Sequence, residues 1–171
     1  MSLNRAHIVL VLLPVLLFIL AGAAWPVQVL ILQSGEKELA LINVKKAEDI
    51  SFEYMHSIYH VWQKESYAVK GNFLVLRELF FEDIQAAWYY DSYSRYPLER
   101  IPDGYVIRGI NEHFDAVRFA LGHGTQYKLL LGNSRELDIN SLCPETAFLV
   151  LKTKVMPNVA FTFSRRNWHE Q

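Results

Sequence analysis

One cysteine, Cys143, stands among the 171 residues. A lone thiol cannot close an intrachain disulfide, so the hydrophobic core alone has to hold the fold. No charge of either sign dominates: 17 basic and 18 acidic residues leave a formal net charge of -1. Without a basic excess there is no field to gather nucleic acid or an anionic membrane surface. Low-complexity tracts are missing, and two Gly-Asn pairs, at 71–72 and 132–133, share too little around them to be a repeat. Catalytic signatures are missing as well. Ser57 follows His56 directly, so on a strand their side chains point to opposite faces and cannot act as nucleophile and base. "GHG" at 122–124 lacks the lysine and the following helix of a phosphate loop. Cys143 precedes Pro144 in an apparent turn with no histidine close in sequence, which reads as a passive thiol. No cofactor is expected.

The strongest feature present is the N-terminus. Arg5 and His7 precede "IVLVLLPVLLFILAGAAW", an uncharged run from Ile8 to Trp25. About 20 apolar residues cross a bilayer, so the run fits a short span. It also fits a secretory signal, with Ala21-Gly22-Ala23 as a small-residue cleavage site. Trp25 suits a membrane interface, and the run exceeds a typical signal core, which favours a retained anchor. No cysteine follows to take a lipid. The single cation before the run keeps the N-terminus in the cytoplasm. The chain therefore divides into 1–25, a signal or membrane anchor, and 26–171, a domain on the periplasmic side. That second part is long enough to bury about 70% of its unfolded surface.

Beyond residue 26 the pattern is β. "VQVLIL" and "ELALINV" are short and rich in strand formers. In "ISFEYMHSI", Phe52, Tyr54, His56 and Ile58 alternate with Glu53, Met55 and Ser57, a period of two. "ESYAVKGNFLVLREL" reads as two arms around a two-residue turn at Gly71-Asn72, and "YKLLLGNSRELDI" as two arms around Gly132-Asn133. "DGYVIRGI", "AVRFAL" and "TAFLVLKTKV" add strands. The expected architecture is all-β: a sandwich or partly open barrel of roughly ten short antiparallel strands, preceded by one hydrophobic helix. No amphipathic helix is apparent after residue 25.

His56 and His60 are four apart, the spacing at which a helix places two imidazoles on one zinc. The segment between them is poor in helix formers, and Ser57 stands where a zinc protease carries its glutamate. On a strand, four residues span about 13 Å, too far for one metal. No metal site is expected here.

Two clusters carry the site reading. A two-residue turn at Gly71-Asn72 sets Tyr67 opposite Leu76 and Glu65 opposite Glu78. Opposed carboxylates repel, so they share a proton or recruit a cation. His56, Arg77, Arg108 or an incoming ligand would serve, and a register different by one leaves the two glutamates apart. His56, Trp62, Glu65, Tyr67 and Glu78 thus form a candidate ligand-binding or structural polar cluster. The second cluster is "WYYDSYSRYPL", which holds Trp88, Tyr89, Tyr90, Tyr93 and Tyr96. Aromatic and arginine side chains are enriched where proteins meet, so this is a candidate interaction loop. Its alternative is a loop packed over the open end of a barrel. Stacking on single-stranded nucleic acid would need a basic groove that the charge balance does not supply.

"FEYMHSIYHVWQKESYAV" followed by "LVLRELFFE" resembles the conserved segment of the bacterial family Domain of Unknown Function 1850. Its Tyr-x-His-Ser element falls on Tyr54, His56 and Ser57. Its Trp-x-x-Glu element falls on Trp62 and Glu65, and its closing Phe on Phe80 or Phe81. The likeness spans most of residues 27–156. It departs after that Phe, where members often carry a glycine-rich stretch and this chain has "EDIQAAWYYDSYSRYPLERIPDGYV". The resemblance implies a small exported or anchored protein with no established activity, often encoded beside TRAP transporters of the TAXI class. Two functions are therefore expected to compete. One is a non-enzymatic accessory module contacting a TRAP transporter through the aromatic loop. The other is an extracytoplasmic β-domain that binds a small molecule.

Overall fold

A computed structural model describes residues 21–45, 48–90, 93–122, 125–132, 135–143 and 148–166. Most of the apolar run, residues 8–20, lies outside that set, and so does the anchor reading that depends on it. Residues 21–24 are helical. Among the described residues no helix is long and apolar enough to cross a membrane.

The described chain is an all-β sandwich of two antiparallel sheets. Its strands are β1 (Pro26–Ser34), β2 (Lys37–Val44), β3 (Asp49–Met55), β4 (Trp62–Lys70), β5 (Phe73–Phe81), β6 (Leu98–Ile101), β7 (Gly104–Phe114), β8 (Ala116–Ala120), β9 (Tyr127–Leu131), β10 (Arg135–Asp138) and β11 (Phe148–Pro157). The smaller sheet runs β2-β1-β11-β8, and the larger β10-β9-β3-β4-β5-β7-β6. Alternation puts Leu30, Leu32, Leu149 and Leu151 of one sheet against Ile50, Leu74, Leu76 and Leu129 of the other, all at most 1% exposed. Phe52 and Phe119 stack across the gap with centroids 3.8 Å apart.

The β4–β5 hairpin ties the sheets together at one end. Gly71, at φ 58, takes the first central position of its two-residue turn, where a positive φ favours glycine. Its carbonyl accepts from Gln28 Nε2 at 2.7 Å and Thr153 Oγ1 at 3.2 Å, while Asn72 Oδ1 accepts from the Val155 N–H at 3.1 Å. From this hairpin end, β4 runs back to Trp62, paired with Met55, and β11 runs back to Phe148, paired with Ala120. Those residues mark the opposite end.

Among the described residues after Trp25, three short helices interrupt the β pattern, where none was apparent in the sequence: α1 (Ile84–Tyr89), α2 (Ile139–Leu142) and α3 (Asn158–Arg166). The first two are set by their caps. Asp83 accepts from the Gln85 N–H at 2.7 Å and Asp138 from the Asn140 N–H at 2.9 Å. A helix of one or two turns is too short to show a hydrophobic period.

Candidate functional site

The inward face of β4 carries Gln63, Glu65 and Tyr67, all buried. Its neighbour β3 presents Phe52 and Tyr54 to the same side, and His56 follows directly after the strand's end. Glu65 lies at the centre, only 9% exposed. Tyr67 donates to its Oε2 at 2.5 Å and Tyr54 to its Oε1 at 2.8 Å. The Tyr90 hydroxyl lies 2.7 Å from that of Tyr54 and 3.5 Å from Glu65 Oε1. Each hydroxyl has one proton. With Tyr54 donating to Glu65, Tyr90 donates to Tyr54, so Tyr67 and Tyr54 are the carboxylate's direct donors and Tyr90 supports them from behind.

Among the described residues no cation pairs with that carboxylate. The ion pairs among the described residues join Arg95 to Glu112, Arg108 to Glu78 and Glu99, Lys128 to Glu136, and Arg135 to Glu48. None includes Glu65. Burial raises its pKa above the ordinary carboxylate range, and the tyrosine hydrogen bonds pull part of the way back. Burial and the nearby carboxylate push Tyr90 up to about 12, and they raise Tyr54 and Tyr67 in the same direction. All three hydroxyls therefore keep their protons at neutral pH.

Beside this cluster is a cleft of about 270 Å³, part open to solvent. Tyr54, Glu65, Tyr90, Tyr127 and Phe52 line it from one side, and Val117 to Ala120 of β8 from the other. Four consecutive residues of one strand reach the cleft because β8 is the edge of the smaller sheet, so the cleft meets its free edge as well as one face. Arg118 is exposed there and makes no ion pair among the described residues. Close by, Gln63 is 1% exposed. Its amide approaches the Tyr90 hydroxyl closely enough to lower that group's pKa, yet neither amide atom reaches hydrogen-bond geometry with a partner among the described residues.

The sequence-derived cluster divides across two faces. Glu65 and Tyr67 meet, whereas Glu65 and Glu78 do not. Tyr67 pairs with Leu76 and then Ser66 with Glu78, because Arg77 is the extra residue of a β-bulge. The bulge turns Glu78 outward, where it binds Arg108 at 2.9 Å. Trp62 belongs to the outer face too, and its backbone N–H donates to Glu82 Oε2 at 2.8 Å. His56 faces inward among the Tyr59 and Tyr89 rings, with burial lowering its pKa. Its Nδ1 accepts from the Ile58 N–H at 3.2 Å.

His60 is not on the same strand as His56. The strand ends at Met55, and the His60 N–H donates to the His56 carbonyl at 2.8 Å across a tight turn. His60 is exposed, and among the described residues no group of three His, Cys, Asp or Glu side chains is placed to hold a metal.

The aromatic loop splits as well. Backbone N–H groups of Tyr93 and Tyr96 donate to the carbonyls of Tyr90 and Tyr93, at 3.0 and 2.9 Å. Turns of this kind place every third side chain on one side. Tyr90, Tyr93 and Tyr96 consequently pack as a row against the core, with Tyr90 also on Phe81. Trp88 and Tyr89 remain exposed. Gln63, Arg118, Phe119 and Tyr127 escaped the sequence reading. The spacing of three between the tyrosines at 90, 93 and 96 was a usable signal; for the others none existed, since they meet only through sheet packing. No family model, no curated protein and no solved structure matches this chain.

Proposed function

We infer that the chain is a binding domain, and that its cleft takes a small organic molecule bearing a protonated amine. The observation that carries this reading is Glu65: a buried carboxylate among three tyrosine hydroxyls, with no ion-pair partner among the described residues and an open path to solvent. An ammonium group supplies the missing charge, and the tyrosine and phenylalanine rings around it favour a cation over their faces. Arg118 at the rim suits an anionic group at the other end of the same molecule. Cys143 is not among the residues lining the cleft; it is buried, with its thiol donating to the Ile139 carbonyl at 3.2 Å. Binding without chemistry is the simpler use of such a site.

The resemblance to the Domain of Unknown Function 1850 family supports a place outside the cytoplasm, tethered through residues 8–25, as a non-enzymatic accessory to a TRAP transporter. The exposed rings of Trp88 and Tyr89 favour contact with that transporter or its binding protein. Thermal denaturation of the detergent-solubilised full chain against panels of amines, amino acids and simple carboxylates tests the ligand class. An amine that binds raises the midpoint in proportion to the logarithm of its concentration, and Glu65→Gln abolishes that rise. An equal rise in the variant, or no rise with any amine, rejects the reading. Affinity purification from solubilised membranes tests the second role, and recovery without any transport component rejects it.

A further inference from the structure

We propose that the hairpin end of the sandwich rests on the lipid bilayer, with α3 lying in the interface as a docking helix. Phe161 is buried, and α3 packs against β1, β2 and β11. Val159 and Phe163, two positions to either side, stand about 200° away around the helix at 100° per residue. They are 41% and 62% exposed. The helix is therefore apolar on two opposite faces, and among the described residues only the Phe161 face is covered. A helix apolar on both sides is one that has a second apolar medium to meet.

The identity of that medium follows from where the helix begins. The Asn158 N–H, at the start of α3, donates to the Trp25 carbonyl at 2.9 Å. Trp25 is the last residue of the uncharged run that starts at Ile8, and it is 70% exposed. At 1.5 Å per residue a helix of that length spans about 27 Å, close to the roughly 30 Å of hydrocarbon in a bilayer. The point where the run would leave the lipid is thus the foot of α3, and tryptophan is a residue of that interface. Exposed Phe73 and Val155 sit at the same end, beside the Gly71-Asn72 turn. Trp25, Val159, Phe163, Phe73 and Val155 are thus exposed apolar side chains on elements that meet at this one end. A near-neutral chain has no need of anionic lipid, so the surface is a zwitterionic one. The inference rests on residues 8–25 being a retained anchor. It holds the cleft, at the opposite end of the sandwich, away from the membrane and open to solutes.

Cys143 is the only cysteine, so the full chain with Cys143→Ala accepts one labelling site. An environment-sensitive fluorophore is placed through Phe163→Cys, in a second protein through Val159→Cys, and in a third through Ile58→Cys, exposed at the cleft end. All are reconstituted in phosphatidylcholine vesicles with and without a brominated-chain lipid. The expected result is blue-shifted, strongly quenched emission at 159 and 163 and unquenched emission at 58. A chain that floats with the vesicles but is quenched no more at 159 and 163 than at 58 overturns the docking and leaves the anchor standing. A chain that does not float with the vesicles overturns the docking and the anchor together.

Discussion

Tyr67 holds Glu65 Oε2 at 2.5 Å from two residues along the same strand, and does so on the inward face of the sheet. With Tyr54 on Oε1, the pair fixes a carboxyl group where burial alone would drive it to protonate.

The pH dependence of stability follows from that position. The Glu65 pKa is raised on folding, so the folded chain binds this proton more tightly than the unfolded one. Its contribution is complete below the unfolded value of about 4.3 and is lost as pH rises through the folded value. Urea denaturation across pH 4 to 8 should find the wild type losing ground to Glu65→Gln as pH increases. Parallel profiles for the two proteins would contradict the raised pKa.

Tyr67→Phe removes a donor from a buried carboxylate while keeping the ring. The expected cost is about 1.5–3 kcal/mol where Glu65 is ionised, shrinking toward acid pH where the carboxyl is neutral. The Glu65 pKa should rise further, since the Tyr67 hydrogen bond lowers it. Carbon-detected NMR titration of the side-chain carboxyls reads this shift directly. An unchanged Glu65 titration would mean that the hydrogen bond is not formed in solution.

Glu78→Gln should behave differently, although Glu78 lies in the strand paired with that of Glu65. Its carboxylate is on the solvent side with Arg108, and both side chains are more than a quarter exposed. Exposed pairs of this kind contribute little. The denaturation midpoint and the response to any amine should match the wild type. Loss of amine binding in Glu78→Gln would place Glu78 in the site after all.

His60 occupies φ 54, a left-handed conformation that costs a residue with a Cβ about 1 kcal/mol or more. His60→Gly should therefore raise stability by about 1 kcal/mol, less whatever glycine adds to the entropy of the unfolded chain. Chemical denaturation measures it. A destabilised variant would show that the His60 side chain holds the turn rather than straining it.

Alternation beyond residue 26 specified strands, and Gly71-Asn72 specified a two-residue hairpin with Lys70 opposite Phe73, because both are local properties of backbone and side-chain type. The same local rules carried the register correctly through Tyr67 and Leu76. They failed at Arg77, because a bulge depends on how a strand fits its neighbours on both sides. β5 shifts register against β7 at the same place, between Leu76 and Glu78. One extra residue sent Glu78 to solvent and left Glu65 inside.

What residue order determined by itself was the class of fold, the place of the Gly71-Asn72 turn and the presence of a glutamate and a tyrosine on one strand face. Tertiary structure alone decided the company they keep. Phe119 and Arg118 line the same cleft as Glu65 from the edge of the other sheet, and Tyr90 comes to it from a capped turn of helix, each more than 20 positions away in the chain. Periodicity reports which side of its own strand a residue takes. It holds no information about which distant strand will close over that side, and here that closure is what buries a carboxylate that has no ion-pair partner among the described residues.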